Sequence, residues 1–469
     1  MEKSIKTKKI YKGLALCFVA VVVVTGVIIY TMSGKKSVED TLELGNKYLS
    51  NLDYDAAIRE YGNVLQIDPM NEEALTGLAM SYAGLGNIEK AEQIFENALA
   101  ETESTDVWKS YAEILEESGN YRKAAQLVSL VLEKEDIEEN YAWLEQILEK
   151  LFATQYVYAQ SEEAVVCIEE KDVLSQGNNV LGTLGVSADM GVQRNSATLQ
   201  SAAFPGTPKS VFTTGMNSYV IDDTNILWTA GSNRSTQKVK NKVEWLPSAG
   251  WIKEDRLQGV VKIAGLDATV FALTDKGELW MRGTNTGYVK GSAWKKDWTQ
   301  IQGYGTILDI QSKAGNIAFL TIEGEIYVAQ TENVYANQTY ITQSAWTLTA
   351  NQADVFSFGE YGDLVYLSDD GFISSSYSVT LPEDWAVYDE YGYWKGYEPP
   401  IHATDIAVVE ETMYLLEDKG NLYRIAEGNS TQIRTDDLFD TIYASGEYCV
   451  ALNKEGGYVL LDKDGITNK

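Results

Sequence analysis

Phe271-Ala272-Leu273-Thr274-Asp275-Lys276-Gly277-Glu278-Leu279-Trp280 reads as strand, tight turn, strand. Apolar residues fill the first arm, Asp-Lys-Gly interrupts it, and Gly277 supplies the positive φ that a tight hairpin turn requires. The same arrangement recurs at Leu320–Tyr327, Leu367–Ile373, Leu416–Tyr423 and Leu452–Tyr458. Upstream it recurs at Val220–Trp228 and, most weakly, at Cys167–Leu174. Most of these seven hairpins stand about 47–53 residues apart, with a shorter last step. A period of that length marks an array of small sheets, each unable to bury its apolar face alone. Residues 156–469 are therefore expected to be all-β.

Several hairpins carry a following Gly-x-Asn, as at Gly177/Asn179, Gly231/Asn233 and Gly283/Asn285. Others have a glycine just before the hairpin's first strand: Gly265, Gly315, Gly359 and Gly446. The pattern resembles the regulator-of-chromosome-condensation type of repeat, which implies a seven-bladed β-propeller over roughly Ala159 to Asp464. The later blades lack the Gly-x-Asn, and that family's nucleotide-exchange and chromatin activities are not carried over, because fold does not give function.

Before residue 156 the period changes. Gly86-Asn87-Ile88-Glu89-Lys90-Ala91 and Gly119-Asn120-Tyr121-Arg122-Lys123-Ala124 lie 33 residues apart, and Leu52-Asp53-Tyr54-Asp55-Ala56-Ala57 lies 34 further upstream. Small residues alternate with large ones at helical spacing: Gly45, Tyr48, Ala57 and Tyr61, then Ala79, Tyr82, Ala91, Phe95 and Ala98, then Trp108, Ala112, Leu115, Ala124 and Val128. Small residues let paired helices approach, and large ones fill the gap to the next pair. This resembles the tetratricopeptide repeat: three units over 37–155, with Pro69 closing the first and Glu139–Leu151 as a capping helix. The resemblance implies a concave groove lined by the first helix of each pair. Here that face carries Asn46, Thr76, Met80, Lys109 and Glu113. It lacks the basic cluster with which some relatives clamp a peptide carboxylate; Ser37 to Gln155 holds 25 acids and 8 bases.

Residues 13–32, GLALCFVAVVVVTGVIIYTM, carry no charge over 20 positions, and five lysines precede them. At 1.5 Å per residue such a helix spans about 30 Å, the bilayer's hydrocarbon thickness. The expectation is a signal anchor: a basic cytoplasmic tail over 1–12, a transmembrane helix over 13–32, and the bulk of the chain extracytoplasmic. A cleaved signal peptide is the rival, although the apolar run is long for one. The expected fold class is thus multidomain, α plus all-β: transmembrane helix, tetratricopeptide hairpins, seven-bladed propeller.

The formal charge of −30 repels phosphate backbones, so no nucleic-acid partner is expected. With three cysteines, one histidine and no Cys-x-x-Cys, no metal site is expected. Cys167 and Cys449 are expected as buried thiols. No P-loop, Gly-x-Ser-x-Gly or His-Glu-x-x-His occurs, so no cofactor and no catalytic residue is assigned, and the chain is not read as an enzyme. One constellation stands out: residues 384–400, DWAVYDEYGYWKGYEPP, gather Trp385, Tyr388, Tyr391, Tyr393, Trp394 and Tyr397. Tyrosine and tryptophan dominate binding hot spots, although they also serve to cover a domain's own core. The function expected is a membrane-anchored extracytoplasmic scaffold that binds protein or peptide partners through both repeat regions. The alternative is a cell-envelope protein that binds or processes carbohydrate with the aromatic loop.

Overall fold

The computed structural model describes residues 38–99, 103–179, 182–185, 195–202, 204–214, 217–233, 238–239, 242–243, 246–247, 250–266, 269–285, 287–290, 294–336, 339–374 and 376–467. The chain divides into two compact units, Met1–Glu117 and Ser118–Lys469.

The first unit is helical, with α1 over residues 38–50, α2 Tyr54–Ile67, α3 Glu72–Gly84, α4 Ile88–Leu99 and α5 Thr105–Ser118. Side-chain oxygens start these helices by accepting from backbone N–H groups that have no partner within the helix: Asp53 from Ala56, Asn71 from Ala74, Asn87 from Lys90. Gly86 stops α3's chain direction at φ 78° immediately before Asn87 caps the next helix. Gly-Asn is therefore one stop signal and one start signal in two residues. Tyr61 is fully buried, and a Cβ added at Gly77 or Gly45 would lie 2.2 or 2.8 Å from its ring. The small positions exist because this tyrosine fills the space.

The second unit opens with α6 Tyr121–Lys134 and α7 Glu138–Leu151, and all its remaining helical content is one 3-10 turn, Glu383–Trp385, among the described residues. Six antiparallel sheets of four or five strands follow. They are blade I (158–201), blade II (208–258), blade III (260–301), blade IV (307–350), blade V (403–433) and blade VI (439–467). Each is built from one stretch of the chain, with a separate hairpin of Lys238–Val239 and Lys242–Val243 inserted in that of blade II, and the first strands of neighbouring blades meet around the axis. Between blades IV and V lies an irregular unit of two separate hairpins, Ala353–Phe358 with Leu364–Ser368 and Ala386–Tyr388 with Trp394–Tyr397. Only single bridges through Ile373, to Leu367 and Tyr397, join them.

Blades are fastened to one another at the hairpin turns. The residue that turns the chain with positive φ presents its carbonyl to the first strand of the next blade: Asn225 to Val260 N–H (3.2 Å), Gly277 to Ile307 (2.9 Å), Gly324 to Ala353 (2.9 Å) and Gly420 to Phe439 (3.0 Å). After the irregular unit a side chain takes over, and Ser357 Oγ accepts from Val408 N–H at 3.0 Å. At the seam between blades VI and I the Tyr443 hydroxyl accepts from Tyr158 N–H (3.1 Å) and donates to Tyr158 O (3.3 Å), while Ser445 Oγ accepts from Gln160 N–H (2.9 Å). Tyr448 and Tyr458 pack against the Tyr158 ring with centroids 6.0 and 6.4 Å away. Cys167 and Cys449, in the blades on either side of this seam, are both buried free thiols.

The helical pair α6–α7 docks within this unit. Lys123 Nζ donates to Asp369 O (2.9 Å) and lies 3.9 Å from the Asp354 carboxylate, and Gln126 Nε2 donates to Ala353 O (3.1 Å). Arg122, Leu151 and Phe152 of this segment close over a cavity of about 60 Å³ whose other wall is the inner strands, with Lys262, Asp309, Asp405 and Thr441. Lys262 and Asp309 form an ion pair at 2.5 Å. Burial opposes the lysine's charge, but Asp309 and Tyr156 hold its pKa above the ordinary value.

Two expectations are corrected. The propeller has six blades, not seven, because the expected hairpin Leu367–Ile373 does not grow into a four-stranded sheet. Beyond Ile373 the chain is gathered by Asp363, whose carboxylate accepts from Ser376 Oγ (2.7 Å), Tyr377 N–H (3.0 Å) and Ser378 N–H (3.1 Å) and so diverts it from strand pairing. The second correction concerns the membrane. No helix among the described residues is long and apolar enough to cross one, which removes the support for a single-pass, extracytoplasmic placement. α2 to α7 have 12–14 residues, about 18–21 Å, and each carries charges. The stretch Gly13 to Met32 lies outside the described residues.

Gly277 tests the blade fastening. At φ 68° a side chain is strained, and a Cβ would also meet Thr306 Cγ2 at 2.4 Å and Ile307 O at 3.1 Å. At Gly456 (φ 83°) a Cβ would meet nothing. Both alanine variants carry the backbone penalty of about 1 kcal/mol, and Gly277→Ala should lose about 1–3 kcal/mol more in denaturant unfolding. Equal losses would show that the turn does not bear on the next blade.

Asp369 tests the α6 dock. Burial, then the Asp354 and Asp370 carboxylates, push its pKa up to about 6, while Lys123 pulls the other way. Its unfolded value is about 3.9. Between about pH 4 and pH 6 the native state holds a proton that the unfolded chain has shed, so this group's effect is to lower stability as pH rises through that window. Asp369→Asn should raise the melting temperature at pH 7 and leave it nearly unchanged at pH 4. A lowered melting temperature at pH 7 would contradict this.

Candidate functional site

The expected groove residues sit on the first helices of their pairs: Asn46 on α1, Thr76 and Met80 on α3, Lys109 and Glu113 on α5. Asn46 is already engaged. Its Oδ1 accepts from the Tyr61 hydroxyl (2.7 Å) and its Nδ2 donates to Glu73 Oε1 (2.6 Å). Burial first, and then the Glu73 charge, push the Tyr61 hydroxyl up to about 12, so it remains a donor at neutral pH. Thr76, Met80 and Lys109 are half-buried, and Glu113 is exposed. Partial burial, then Glu117 and Glu116, raise the Glu113 pKa.

The six aromatics of residues 384–400 separate into two sets. Trp385 is buried at 6% exposure in the cluster of Val355, Leu367, Ile373, Leu381 and Met413, and Tyr397 packs against that cluster. Tyr388, Tyr391, Tyr393 and Trp394 remain 60, 77, 72 and 45% exposed. They lie on the short hairpin Ala386–Tyr388/Trp394–Tyr397, whose turn is held by Asp389 Oδ1 accepting from Tyr391 N–H (2.9 Å) and Tyr393 N–H (2.7 Å). Trp394 stands edge-on to Tyr397 with centroids 5.8 Å apart. The pairing through Ile373 places this turn at the same end of the irregular unit as the turn 359–363. There Tyr361 is 72% exposed, and Tyr377, whose N–H is held by Asp363, is 94% exposed. Four exposed rings thus gain two neighbours at one end of one unit.

Sequence reasoning missed the propeller's axis. At the end opposite α6–α7 the ring opens into a cavity of about 1400 Å³. The turns after the first strand of every blade and of the irregular unit line it, around 161–163, 212–214, 264–269, 312–315, 357–360, 410 and 444–447. Glu162, Glu163, Glu360, Glu410 and Glu447 face it against two lysines, Lys262 and Lys313. These residues are scattered over almost 300 positions, and only ring closure brings them together. The one sequence signal was the glycine just before the first strand of several hairpins, since Gly265, Gly315 and Gly446 border this mouth. His402, the sole histidine, lies away from the mouth, with Nδ1 3.9 Å from the Asp418 carboxylate.

Residues 48–110 match the tetratricopeptide-repeat family. No curated protein matches the chain in sequence. Among solved structures, human WBSCR16 is similar at 14% identity and TM-score 0.36, over 62% of this chain and 70% of that one. Prp20p from Saccharomyces cerevisiae, a structure titled for its binding to Gsp1p and histones, is similar at 13% identity and TM-score 0.35, over 65% and 71%. The first such domain of Spaghetti (RPAP3), bound to the HSP90 peptide SRMEEVD, is similar at 26% identity and TM-score 0.23, over 25% and 94%. A tetratricopeptide match thus falls within the helical unit, and a six-bladed propeller follows it.

Asn46 offers a direct check on its role. If it chiefly anchors Tyr61, Asn46→Ala should cost about 1–2 kcal/mol in thermal or denaturant unfolding of the helical unit. A loss below about 0.3 kcal/mol would show that Asn46 does not anchor Tyr61.

Proposed function

We propose that this protein is an interaction scaffold that holds protein partners on its helical repeats and on its propeller. The observation that carries the reading is the exposed aromatic surface of the irregular unit. Tyr388, Tyr391, Tyr393 and Trp394 leave large rings in solvent, although the same segment had a core to put them in and used it for Trp385. Exposed aromatic area grouped on a rigid hairpin is costly to leave wet, and Tyr and Trp carry most of the energy in protein interfaces. The unit is rigid where it matters, since Asp389 holds the turn and Trp385 pins the hairpin's base. No observation favours the carbohydrate alternative. Tetratricopeptide repeats and propellers are interaction modules in general, which supports the same reading for the helical unit.

Trp394→Ala and Trp385→Ala separate contact from core. Trp394→Ala should weaken partner binding by about 2 kcal/mol, some thirtyfold in affinity, with the melting temperature nearly unchanged. Trp385→Ala should lose about 3–5 kcal/mol of stability. Affinity purification of the full chain and of each variant, with quantitative mass spectrometry of what co-purifies and a melting curve for each, reads both effects. A Trp394→Ala protein that melts early, or that retains every partner, would end the assignment of this hairpin.

A further inference from the structure

We infer that the open mouth of the propeller is a binding site for a lysine- or arginine-rich peptide segment; it deepens the scaffold reading by naming what the propeller receives. The enclosed volume is the first ground. At about 1400 Å³ the mouth exceeds the roughly 300–1,000 Å³ of small-molecule pockets, so a stretch of polypeptide fits it better. It is also a blind funnel. Tyr156, Lys262, Gln311 and Tyr443 line both this cavity and the small one beneath α6–α7, so they form the partition between them.

Charge gives the second ground. Five glutamates face the cavity, and both of its lysines are already committed: Lys262 to Asp309 (2.5 Å), and Lys313 to Glu360 (3.3 Å) and to Val408 O (3.5 Å). Glu410 is partly answered by Lys463 at 3.6 Å. Glu163 Oε2 accepts from the neutral Asn178 amide at 2.8 Å. Glu162, Glu163 and Glu447 therefore form a negative rim across the seam, where the Gln160–Ser445 bond brings their two turns side by side. A low-dielectric funnel with an excess of negative charge at its lip concentrates the field there. Beneath the lip the wall is chemically mixed. Hydroxyl residues such as Thr213, Thr214 and Thr269 alternate there with apolar ones such as Phe212 and Ile263. Lysine and arginine carry an apolar stem and a cationic head, which suits such a wall and rim. The exposed Tyr361, next to Glu360 on the lip, adds a ring face for a cation.

The test uses the full chain, fluorescent octalysine as the probe and octaglutamate as its control. Fluorescence anisotropy at low salt should show octalysine binding and no octaglutamate binding. The triple variant Glu162→Gln, Glu360→Gln, Glu447→Gln should weaken octalysine binding about tenfold or more. A decoy that removes three exposed acids from the helical unit (Glu39→Gln, Glu43→Gln, Glu117→Gln) should change it by less than about twofold. Equal losses in the two triple variants would reduce the effect to the chain's diffuse field and overturn the site, as would absence of octalysine binding. Should the triple variant fail to fold, Glu162→Gln alone reads the same quantity, with about a threefold loss expected and no loss overturning it. Trp394→Ala should leave octalysine binding unchanged, so failure of this inference and failure of the aromatic-hairpin assignment are seen separately.

Discussion

Blades III, IV and VI and the irregular unit each begin where the preceding blade turns. A residue with positive φ exposes its carbonyl, and the first N–H of the next inner strand takes it. That one backbone bond fixes where the next strand starts, how far it sits from the axis and which of its faces looks inward. A small sheet of four strands has little core of its own, and its stability comes from the neighbour it is pressed against. Clusters such as Phe212, Ile221, Leu257, Val260 and Val270, which join blades II and III, can form only if the register between blades is already set. The turn carbonyl sets it, so the hydrophobic packing follows from a polar bond rather than the other way round.

A chain of such fastenings still has two ends. Here no strand is exchanged between the first and last blades, since each sheet is made of one stretch of the chain, and the two cysteines flanking the seam are thiols. Closure depends on side chains: the Tyr443 hydroxyl bonded twice to the Tyr158 backbone, and rings at 156, 158, 443, 448 and 458 packed edge to face or tilted. Burial raises the pKa of the Tyr443, Tyr158 and Tyr458 hydroxyls, so they stay protonated and able to donate. The mouth inherits this dependence. Its rim glutamates Glu162 and Glu447 belong to opposite ends of the propeller sequence, and the closed seam, with its tyrosines and the Gln160–Ser445 bond, makes them neighbours.

Much of this was legible in the residues. The recurrence of Gly-Asn at 86–87 and 119–120 announced the helical repeat, and Gly45 with Tyr61 announced a close helix pair, because small and large residues fell at helical spacing. Asp-Lys-Gly announced hairpins because a turn signal acts over a few residues. What was not legible depends on contacts far apart in sequence. The Leu367–Ile373 hairpin carries the same local signal as its neighbours, and nothing in it states that Asp363 will gather Ser376, Tyr377 and Ser378 and so prevent a full blade. The affiliation of α6 and α7 was hidden likewise, for Tyr121–Leu151 has ordinary helical patterning, while its partners Ala353, Asp354 and Asp369 lie more than 200 residues away. The aromatic segment was recognised as unusual, yet only burial distinguished Trp385, which holds the unit together, from Trp394, which faces outward.

The irregular unit and the aromatic surface have one cause. A regular blade hides its apolar side chains between two neighbours and leaves a polar outer strand. Once Asp363 draws the chain away after Ile373, the outer pair Ala386–Tyr388/Trp394–Tyr397 keeps its strand pairing to the rest through Ile373 and is free of the blade pattern of alternating burial. Its inward residues, Trp385 and Tyr397, still satisfy the core, and its outward ones carry no packing obligation. Large rings can accumulate there without displacing any contact that holds the ring shut. The unit contributes its first two strands to the circle, with Ala353 N–H bonded to Gly324 and Ser357 bonded to Val408, and it spends the remainder on a projecting surface. Loss of one regular blade is therefore compatible with a closed ring, because closure needs only the inner strands, and the outer half becomes available for contact with another molecule.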